Sequence, residues 1–597
     1  MSVIEVLQII GGIAVFLYGM NLLSSGLERL SGGKLEALLK KATGNVFKGI
    51  LLGTVVTALI QSSSASIVIV VGFVNSGLMT LRQAISVCIG ANIGTTVTAW
   101  IISLTGISGS NIFLSLLKPI NIAAICAIIG IVLFMFLKNE KRREVGFMLL
   151  GFAVLMYGLN IMSDSVKVLA ETPEFQNVLL LFKNPVLGFL TGAILTAIIQ
   201  SSSASLGMLQ AIVIGAAAAG APGITFGIAI PIILGQNVGT CITAIIASIG
   251  ARKNAIRTAL SNILINSFCA VLFLVIIYTV NSFVEIPLLS KEVTAMNIAL
   301  IHTTFNLLLT ITVVPFIGVL EKLICRIVKD DPAKADDSKV PILDELLLNN
   351  PSIAISQCFS AIEKMSKKAI ENFKLAISLL KKYDKEIYNT IVENEDIIDL
   401  TEDALSTYII KITDKDLTTE ESRAVSVLLH SIADYERIGD HAMNIADKSQ
   451  SMYNRNLSFS QSAHEELDIL CEALNEILTV TDKAFTKKDI NTALEVEPIE
   501  EVVDNLTTFL KNKHIQRLRT GECTIDSGVI FLDLLNDFER IADHCSNLGV
   551  YVIEIQDDKL DSHMYLKNQK DSVEFNKLIE KYNEKYLLKA GYTDNNE

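Results

Sequence analysis

The hexapeptide Gln61-Ser62-Ser63-Ser64-Ala65-Ser66 occurs twice in the chain, and its second copy is Gln200-Ser201-Ser202-Ser203-Ala204-Ser205. Apolar residues surround both copies. In hydrocarbon, a backbone or hydroxyl group without a hydrogen-bond partner costs about 2–7 kcal/mol, so a run of hydroxyls there requires protein, water or ions around it. We therefore predict that the two copies face each other and form one site for a substrate and ions in the middle of a membrane.

The 597 residues divide into two parts of different composition. Charges are sparse and apolar runs are long up to residue 328, whereas charges are dense from residue 329 onward. The mean hydropathy of +0.47 is too high for an ordinary soluble protein of this length. We expect a membrane domain in residues 1–328, a linker in residues 329–344, a soluble helical domain in residues 345–555 and a polar tail in residues 556–597.

The net charge of −13 comes mostly from the second part, where basic residues are interleaved with acidic ones. This pattern argues against nucleic acid as a partner. The 9 cysteines include no Cys-x-x-Cys pair, which is typical of reduced thiols and a cytoplasmic soluble domain. The sequence contains no nucleotide-binding loop and no nucleophile elbow, so it does not indicate an enzyme.

Seven apolar segments approach the length of about 20 residues that a membrane-spanning helix needs. They are residues 6–23, 84–104, 119–137, 145–162, 226–249, 255–280 and 296–320. Two further segments, residues 49–60 and 188–199, end in the serines. Since about 12 residues reach only about 18 Å into a hydrocarbon core about 30 Å thick, we predict that each folds back as a re-entrant hairpin with its serine tip inside the membrane.

Two more motifs recur in the same order around the hexapeptides. Tyr18-Gly19-Met20-Asn21 returns as Tyr157-Gly158-Leu159-Asn160, and Gly90-Ala91-Asn92-Ile93-Gly94-Thr95-Thr96 returns as Gly235-Gln236-Asn237-Val238-Gly239-Thr240-Cys241. The membrane domain is therefore an internal duplication, with repeats at about residues 6–137 and 145–328. When the two repeats are given opposite orientations, most of the Lys and Arg residues in loops lie on one side of the membrane, as is typical of cytoplasmic loops. Inverted repeats with broken helices are typical of secondary transporters.

The predicted spans contain no Asp or Glu, and His302 is their one ionisable side chain well inside the membrane. Hydroxyls, amides and helix N-termini can bind an oxyanion by donating hydrogen bonds, and neutral oxygens can bind sodium, with the two ions balancing in charge. We therefore predict sodium–oxyanion symport. The pairs Asn262 with Asn266 and His302 with Asn306 each share a helix face, and we expect them to bond between helices rather than to bind ions directly.

The duplicated motifs resemble the type II sodium–phosphate cotransporter family over about residues 1–325. The resemblance implies sodium-coupled symport of inorganic phosphate by a multi-pass protein of the cytoplasmic membrane, in contact with lipid. The implied phosphate-binding residues are Ser62, Ser63, Ser64, Ser201, Ser202 and Ser203. The implied sodium-binding residues are Gln61, Gln200, Ser64, Ser203, Asn92, Thr95, Thr96, Asn237 and Thr240. Cys241 departs from the first copy, which has Thr96, and this would alter the number or affinity of bound ions.

Apolar residues at helical spacing predict six helices in the soluble domain, at residues 353–380, 387–412, 420–446, 463–484, 490–511 and 527–553. A second duplication divides them into two three-helix bundles, with repeats at about residues 345–449 and 460–555. Glu395-x-x-x-Asp399 recurs as Glu500-x-x-x-Asp504. Each pair places two carboxylates on one helix face, and a multivalent cation would relieve their repulsion.

This second part resembles PhoU, the phosphate-uptake regulator, over about residues 345–555. The resemblance implies two metal clusters, which would consist of Glu395, Asp399, Glu436 and Asp440, and of Glu500, Asp504, Glu539 and Asp543. Oxygen ligands suit Mg, Mn or Fe. The implied role is regulatory, with a cytosolic protein as partner.

The predicted fold is therefore all-α, a polytopic transporter with inverted repeats and two re-entrant hairpins, followed by a cytosolic pair of three-helix bundles. The sequence leaves open the choice between phosphate and a related oxyanion, the choice between uptake and export, and whether the chain forms a homo-oligomer. A phosphate-sensing or signalling membrane protein is the alternative function.

Overall fold

The computed structural model describes residues 3–31, 45–75, 79–103, 119–170, 172, 181–329, 343–554 and 572–592. Helices account for the regular structure within these ranges, and an isolated antiparallel bridge joins Thr225 to Glu292. The chain divides into two compact units, Met1–Ala335 and Asp336–Glu597. The predicted all-α class is confirmed. Most of the predicted linker and residues 556–571 of the predicted tail lie outside the described residues.

The first unit is built from long apolar helices in the part of the chain that the structure describes. They are α1 (Val3–Ser31), α2 (Val46–Ile60), α3 (Ser63–Asn75), α4 (Leu81–Gly94), α5 (Thr96–Ser103), α6 (Pro119–Phe136), α7 (Glu140–Ala170), α8 (Pro185–Ile199), α9 (Ser202–Ala219), α10 (Phe226–Thr240), α11 (Ile242–Ala247), α12 (Lys253–Phe283), α13 (Ala295–Val313) and α14 (Ile317–Ile327).

Seven helical segments of this unit are long and apolar enough to cross a membrane, namely Leu7–Leu27, Leu81–Ser103, Lys141–Val168, Ser202–Ala219, Phe226–Ala247, Lys253–Phe283 and Ala295–Ile327. Six of them overlap predicted spans. The seventh is α9, which follows the second serine tip and lies outside the predicted spans. Alanines at positions 216–219 extend this helix as far as Gly220, whose φ of 65° ends it. The predicted span at residues 119–137 is the shorter helix α6.

Within each repeat, a glycine allows two helices to cross in close contact. Where α2 crosses α4, a β-carbon on Gly53 would lie 2.1 Å from the carbonyl oxygen of Val87. Where α8 crosses α10, a β-carbon on Gly192 would lie 2.2 Å from the carbonyl oxygen of Ile232. Gly53 and Gly192 occupy equivalent positions in the duplicated sequence. The duplication therefore extends from the motifs to the packing of the helices that carry them.

The first helices of the two repeats, α1 and α7, also cross at equivalent glycines. A β-carbon on Gly19 would lie 2.2 Å from the backbone nitrogen of Leu155, and one on Gly158 would lie 2.3 Å from that of Phe16. Since Phe16 and Leu155 are themselves equivalent in the duplication, each helix presents to the other the contact that it receives. Such reciprocity is the local signature of a two-fold relation between the repeats.

The second unit contains two three-helix bundles. The first bundle consists of α15 (Pro351–Lys381), α16 (Lys385–Thr413) and α17 (Thr419–Asn454), and the second of α18 (Gln461–Lys487), α20 (Val496–Thr520) and α21 (Ile525–Glu554). The predicted fifth helix, residues 490–511, is divided into a short turn, α19 (Ile490–Ala493), and α20, which continues nine residues further than predicted. Gly521, with a φ of 75°, ends α20.

Part of the predicted polar tail packs against the second bundle. Helix α22 (Val573–Tyr582) and the turn Asn583–Leu587 bury the side chains of Phe575, Tyr582, Tyr586 and Leu587. Lys513 Nζ on α20 donates to the carbonyl oxygen of Ala590 at 2.8 Å. At the equivalent position of the first bundle, Tyr408 Oη donates to the carbonyl oxygen of Asp344 at 2.6 Å. Each bundle therefore binds a segment from outside its three helices at the same place.

Candidate functional site

Each serine hexapeptide begins with a glutamine in a left-handed backbone conformation. Gln61 has φ 59° and ψ 19°, and Gln200 has φ 59° and ψ 21°. Residues other than glycine rarely adopt this conformation, and where they do, strain is commonly found at functional sites. The chain turns at these glutamines, so that α3 and α9 begin two residues later at Ser63 and Ser202.

The two tips meet, as the sequence predicts. Ser64 Oγ of the first tip donates a hydrogen bond to the carbonyl oxygen of Gln200 in the second, at 3.0 Å. Met20 on α1 lies beside the second tip, with its sulfur 3.9 Å from Ser201 Oγ, and Ser24 Oγ on the same helix donates to the carbonyl oxygen of Ile60 at 2.7 Å. Helix α1 therefore contacts both tips.

The serine hydroxyls of the tips differ in the hydrogen bonds that they form. Ser62 Oγ accepts from the backbone of Ala65, and Ser201 Oγ accepts from the backbone of Ala204, each at 3.2 Å, so these two cap the helices that follow. Ser63, Ser202 and Ser203 are buried. Their hydroxyls form no hydrogen bond with the residues that the structure describes. Ser205 Oγ is also buried without a partner among the described residues, so four serine hydroxyls are available near the N-termini of α3 and α9.

The side chain of Gln61 is held by Thr98, which is not among the predicted site residues. Thr98 Oγ1 donates to Gln61 Oε1 at 2.7 Å, and Gln61 Nε2 donates to the carbonyl oxygen of Ala58. Thr98 recurs as Thr243 two residues after the second Gly-x-Asn motif, and that recurrence was the available signal. Gln200, in contrast, has an exposed side chain. The two tips are therefore similar in backbone and different in the environment of their amides.

Three buried threonines of the motifs behave alike. Thr95, Thr96 and Thr240 each donate their hydroxyl proton to a backbone carbonyl oxygen three or four residues earlier, at 2.9, 2.8 and 2.9 Å. A hydroxyl whose proton is committed in this way can only accept a further interaction. The three oxygens are therefore suited to a cation and not to an anion.

Asn92 and Asn237, at equivalent positions of the two motifs, are oriented by residues from other helices. Asn92 Nδ2 lies 3.3 Å from Asn266 Oδ1 on α12, and Asn237 Oδ1 lies 3.3 Å from His302 Nε2 on α13. Asn266 and His302 form the expected interhelical hydrogen bonds, whereas Asn306 donates to the carbonyl oxygen of His302 within its own helix. Sequence alone could not name their partners, because these contacts join residues that are 174 and 65 positions apart.

Cys241, which stands where the first motif has Thr96, is part of the same network. Asn262 Nδ2 lies 3.5 Å from Cys241 Sγ, and Asn266 Nδ2 donates to Asn262 Oδ1 at 3.1 Å. Through Asn266 the network continues to Asn92 of the first repeat. The cysteine therefore keeps a polar contact at the position where the first copy has a threonine hydroxyl.

In the second unit, the first predicted metal cluster combines residues of α16 and α17. Burial, followed by the nearby charges of Asp399 and Asp440, raises the pKa of Glu395 to about 8. Burial is also the main cause of the raised pKa values of Asp399 and Glu436, and Asp440 contributes to both. The carboxylates of this cluster therefore disfavour one another's charge, but no three of these four described residues bring ligand atoms within 4.8 Å of one another.

The second predicted cluster is assembled from three of its four residues. Glu500, Asp504 and Asp543 each offer an oxygen within 4.8 Å of the others. Burial, followed by the charges of Asp543 and Glu539, raises the pKa of Asp504 to about 6. Glu539 forms an ion pair with Lys511 at 2.7 Å. The fourth predicted ligand is therefore neutralised by a lysine, whose equivalent in the first bundle is Ser406.

The duplicated histidines pair across the two bundles. His441 Nδ1 lies 3.0 Å from Asp537, and His544 Nδ1 lies 2.7 Å from Asp434. The two imidazole rings lie 5.7 Å apart between centroids. Each histidine therefore binds the aspartate of the other repeat, and the interface between α17 and α21 has the same reciprocity as the helix crossings of the first unit.

Seven helices suited to a membrane, two mutually contacting polar tips and a helical second unit define a membrane transport protein with an attached helical domain. Family models give the same division. The Na+/Pi-cotransporter model matches residues 15–164 and 154–309, and the PhoU domain model matches residues 362–449 and 467–552. The chain belongs to the Na+/Pi-cotransporter family and carries PhoU domains. This is a family of transporters and not of enzymes.

Similar proteins occur in bacteria and in animals. The chain is 30% identical over 323 residues to the "Uncharacterized protein YqeW" of Bacillus subtilis, which covers 54% of this chain and 97% of that protein. It is 23% identical over 561 residues to the "Putative inorganic phosphate export protein YjbB" of Salmonella typhimurium, which covers 93% of this chain and 98% of that protein. It is 38% identical over 103 residues to the "Sodium-dependent phosphate transport protein 2B" of Homo sapiens, which covers 17% of this chain and 15% of that protein.

Among solved structures, the chain is similar to the crystal structure of PhoU from Pseudomonas aeruginosa. The identity is 20%, the TM-score is 0.33, and the match covers 35% of this chain and 98% of that protein.

Proposed function

We propose that the chain moves inorganic phosphate across the cytoplasmic membrane in symport with sodium, and that both ions bind where the two tips meet. The observation that carries this proposal is the hydrogen bond from Ser64 to the carbonyl oxygen of Gln200, which brings two hydroxyl-rich turns from separate repeats into one place. Membership of the Na+/Pi-cotransporter family and the sodium-dependent human relative support the identity of the two ions.

Phosphate requires donors, and the tips supply them. The proposed phosphate-binding residues are Ser62, Ser63, Ser64, Ser201, Ser202 and Ser203. Ser64 donates to phosphate only when its hydroxyl leaves the carbonyl oxygen of Gln200. The N-termini of α3 and α9 add backbone N–H groups and the positive ends of two helix dipoles. No carboxylate of the described tips opposes the anion. Neutral donors in a buried place bind phosphate strongly only if a cation balances its charge, which favours coupling to sodium.

Sodium requires acceptors, and the motifs that follow the tips supply these. The proposed sodium-binding residues are Gln61, Gln200, Ser64, Ser203, Asn92, Thr95, Thr96, Asn237 and Thr240. The committed hydroxyl protons of the three threonines leave oxygen lone pairs, and His302 and Asn266 hold the two asparagines. Donors at the tips and acceptors beside them fit an anion and its counter-cations better than either ion alone.

The PhoU domains would regulate this transport from the cytoplasm through metal ions and a cytosolic protein partner. The carboxylate clusters Glu395, Asp399, Glu436 and Asp440, and Glu500, Asp504, Glu539 and Asp543, are the proposed metal sites. Their oxygen ligands suit Mg, Mn or Fe.

The proposal is tested by phosphate uptake into proteoliposomes that contain the full chain. A sodium gradient should drive uptake, and Ser63→Ala or Ser202→Ala should each abolish it, because each removes an uncommitted buried donor. Ser165→Ala is the control, since Ser165 Oγ on α7 bonds only to the carbonyl oxygen of Ile161 in its own helix. Uptake that is the same with potassium as with sodium would refute the coupling.

Export is the second candidate, because the YjbB relatives match the chain over almost its whole length and their printed name is that of an export protein. The same site would then release phosphate when gradients or the PhoU domains favour it. Phosphate loaded inside vesicles distinguishes the two directions. Binding of phosphate without any transport would instead favour a sensor or signalling protein.

A further inference from the structure

Unpartnered polar atoms occur on α10 and α13, two helices of the first unit that contact each other. The contact between Asn237 Oδ1 and His302 Nε2 marks this place. Gln236 precedes Asn237 on α10, and Asn306 lies one turn after His302 on α13. The side chains of Gln236, His302 and Asn306 are buried, with exposed fractions of 2%, 2% and 0%. Gln236 Oε1, His302 Nδ1 and Asn306 Oδ1 have no hydrogen-bond partner among the described residues.

Gln236 Oε1 is an amide oxygen, and neighbouring hydrogen bonds identify the other two unpartnered atoms as acceptors. Asn306 Nδ2 donates to the carbonyl oxygen of His302 at 2.8 Å, which fixes Asn306 Oδ1 as the atom left over. Asn237 Nδ2 donates to the carbonyl oxygen of Ile233 at 3.0 Å, so Asn237 Oδ1 is the atom that faces the imidazole. His302 Nε2 must then be the donor, and Nδ1 of the neutral ring keeps a lone pair. An anion needs donors, so this place does not suit phosphate.

The first repeat has no polar side chain at the position equivalent to Gln236. The equivalent position of the first repeat is Ala91, which is also buried. A buried amide oxygen without a partner costs about 1–3 kcal/mol relative to an alanine that needs none. The second repeat therefore carries a costly acceptor where the first repeat has a methyl group.

We propose that Gln236 Oε1 and Asn306 Oδ1, together with Asn237 Oδ1, bind a sodium ion between α10 and α13. Asn237 Oδ1 has a second lone pair beyond its contact with His302. Neutral amide oxygens are hard ligands of the kind that sodium accepts, and a cation satisfies several acceptors at once. The inference rests on the proposed function, because it adds two ligands to the sodium shell of Asn237. It makes the two repeats unequal, with a binding residue in the second that the first lacks.

The test is equilibrium binding of radioactive sodium to the purified full chain in detergent, without phosphate. Gln236→Ala copies the residue of the first repeat and should therefore fold, and Asn306→Ala removes the ligand on α13. Each variant should raise the half-saturating sodium concentration at least about tenfold, which is about 1.4 kcal/mol, or lose one bound sodium. Thr310→Val is the matched control, since Thr310 Oγ1 on the same helix bonds only to the carbonyl oxygen of Asn306.

The fluorescence of a nearby tryptophan tests whether the sodium ion binds between α10 and α13. The chain has 1 tryptophan, Trp100, and its Nε1 donates to Thr303 Oγ1 on α13 at 3.0 Å, next to His302. Sodium should therefore change the emission of Trp100 in the wild-type chain, while potassium should not. Gln236→Ala and Asn306→Ala should weaken the sodium-dependent change, and Thr310→Val should keep it.

The outcomes separate this inference from the proposed function. Ser63→Ala and Ser202→Ala should lose phosphate uptake but keep sodium binding at α13. If Gln236→Ala and Asn306→Ala bind sodium as the wild type does, the inference is wrong even where uptake is driven by sodium, and the unpartnered acceptors then bind water. If both variants weaken sodium binding but phosphate uptake ignores sodium, the inference holds and the proposed coupling fails.

Discussion

Glu395 lies among other carboxylates in the first PhoU bundle, and burial raises its pKa from 4.5 to about 8. An acid whose pKa is raised by folding binds more protons in the folded chain than in the unfolded chain between those two values. Its contribution to stability is therefore greatest at low pH and is lost as pH rises through this window. A bound metal ion would reverse the effect, since it stabilises the ionised carboxylate.

We expect the metal-free second unit to unfold at a lower temperature at about pH 8 than at about pH 5. Glu395→Gln should flatten this dependence, and it should raise the unfolding temperature at the higher pH because no buried charge then forms. Exposed Glu371 on α15 provides the control, since Glu371→Gln should leave the profile unchanged. An unfolding temperature of metal-free wild type that rises with pH in this range would contradict the account.

The second cluster makes a separate prediction about which carboxylates bind metal. Asp504→Asn should lose one metal ion per chain when manganese is titrated, because Asp504, Glu500 and Asp543 converge. Glu539→Gln should keep that ion, because Lys511 already neutralises Glu539. Metal content of the purified variants decides the matter. Loss of the ion in Glu539→Gln together with its retention in Asp504→Asn would be the opposite of what the geometry implies.

Individual residues of the site were predictable to the extent that they recur. The duplicated hexapeptides and Gly-x-Asn motifs point to Ser63, Ser202, Asn92 and Asn237 without any structure. The partners that orient them were not predictable, because they depend on which helices become neighbours. His302 is visible in the sequence as a buried ionisable residue, but its contact with Asn237 emerges only from the packing of α13 on α10.

At the scale of elements, the close helix crossings depend on single glycines. Gly53→Ala or Gly192→Ala should destabilise the first unit, because each new β-carbon would meet a backbone oxygen of α4 or α10 at about 2 Å. Overpacking of this kind typically costs about 1–3 kcal/mol. Gly318→Ala on α14 should be tolerated, since no atom lies within 4 Å of the new carbon. Thermal unfolding in detergent measures the difference, and equal losses in all three variants would overturn the argument.

Helix boundaries were predicted best where composition changes sharply. Four of the six soluble helices begin and end close to their predicted limits, whereas the third continues from residue 446 to Asn454, and residues 490–511 divide at α19 and extend to Thr520. The tail was the largest omission. The sequence shows a weakly amphipathic stretch at residues 575–588, but it does not show that Phe575, Tyr582 and Tyr586 become buried.

At the scale of the whole molecule, both units are internal duplications whose repeats make reciprocal contacts. Some equivalent positions of the repeats nevertheless carry different residues. Ala91 is equivalent to Gln236, Thr96 to Cys241 and Ser406 to Lys511 in the duplicated sequences. In the first unit this divergence leaves two similar tips with unequal surroundings. A shared site between them predicts that one ligand is bound by both copies, whereas two independent sites would predict one ligand for each copy.

Equilibrium binding of radioactive phosphate to the purified full chain in sodium tests this claim most directly. The account predicts one phosphate per chain, and it predicts that Ser63→Ala alone and Ser202→Ala alone each abolish binding, because both tips are needed for the same ion. Two phosphates per chain, or a loss of only half of the bound phosphate in either single variant, would contradict it.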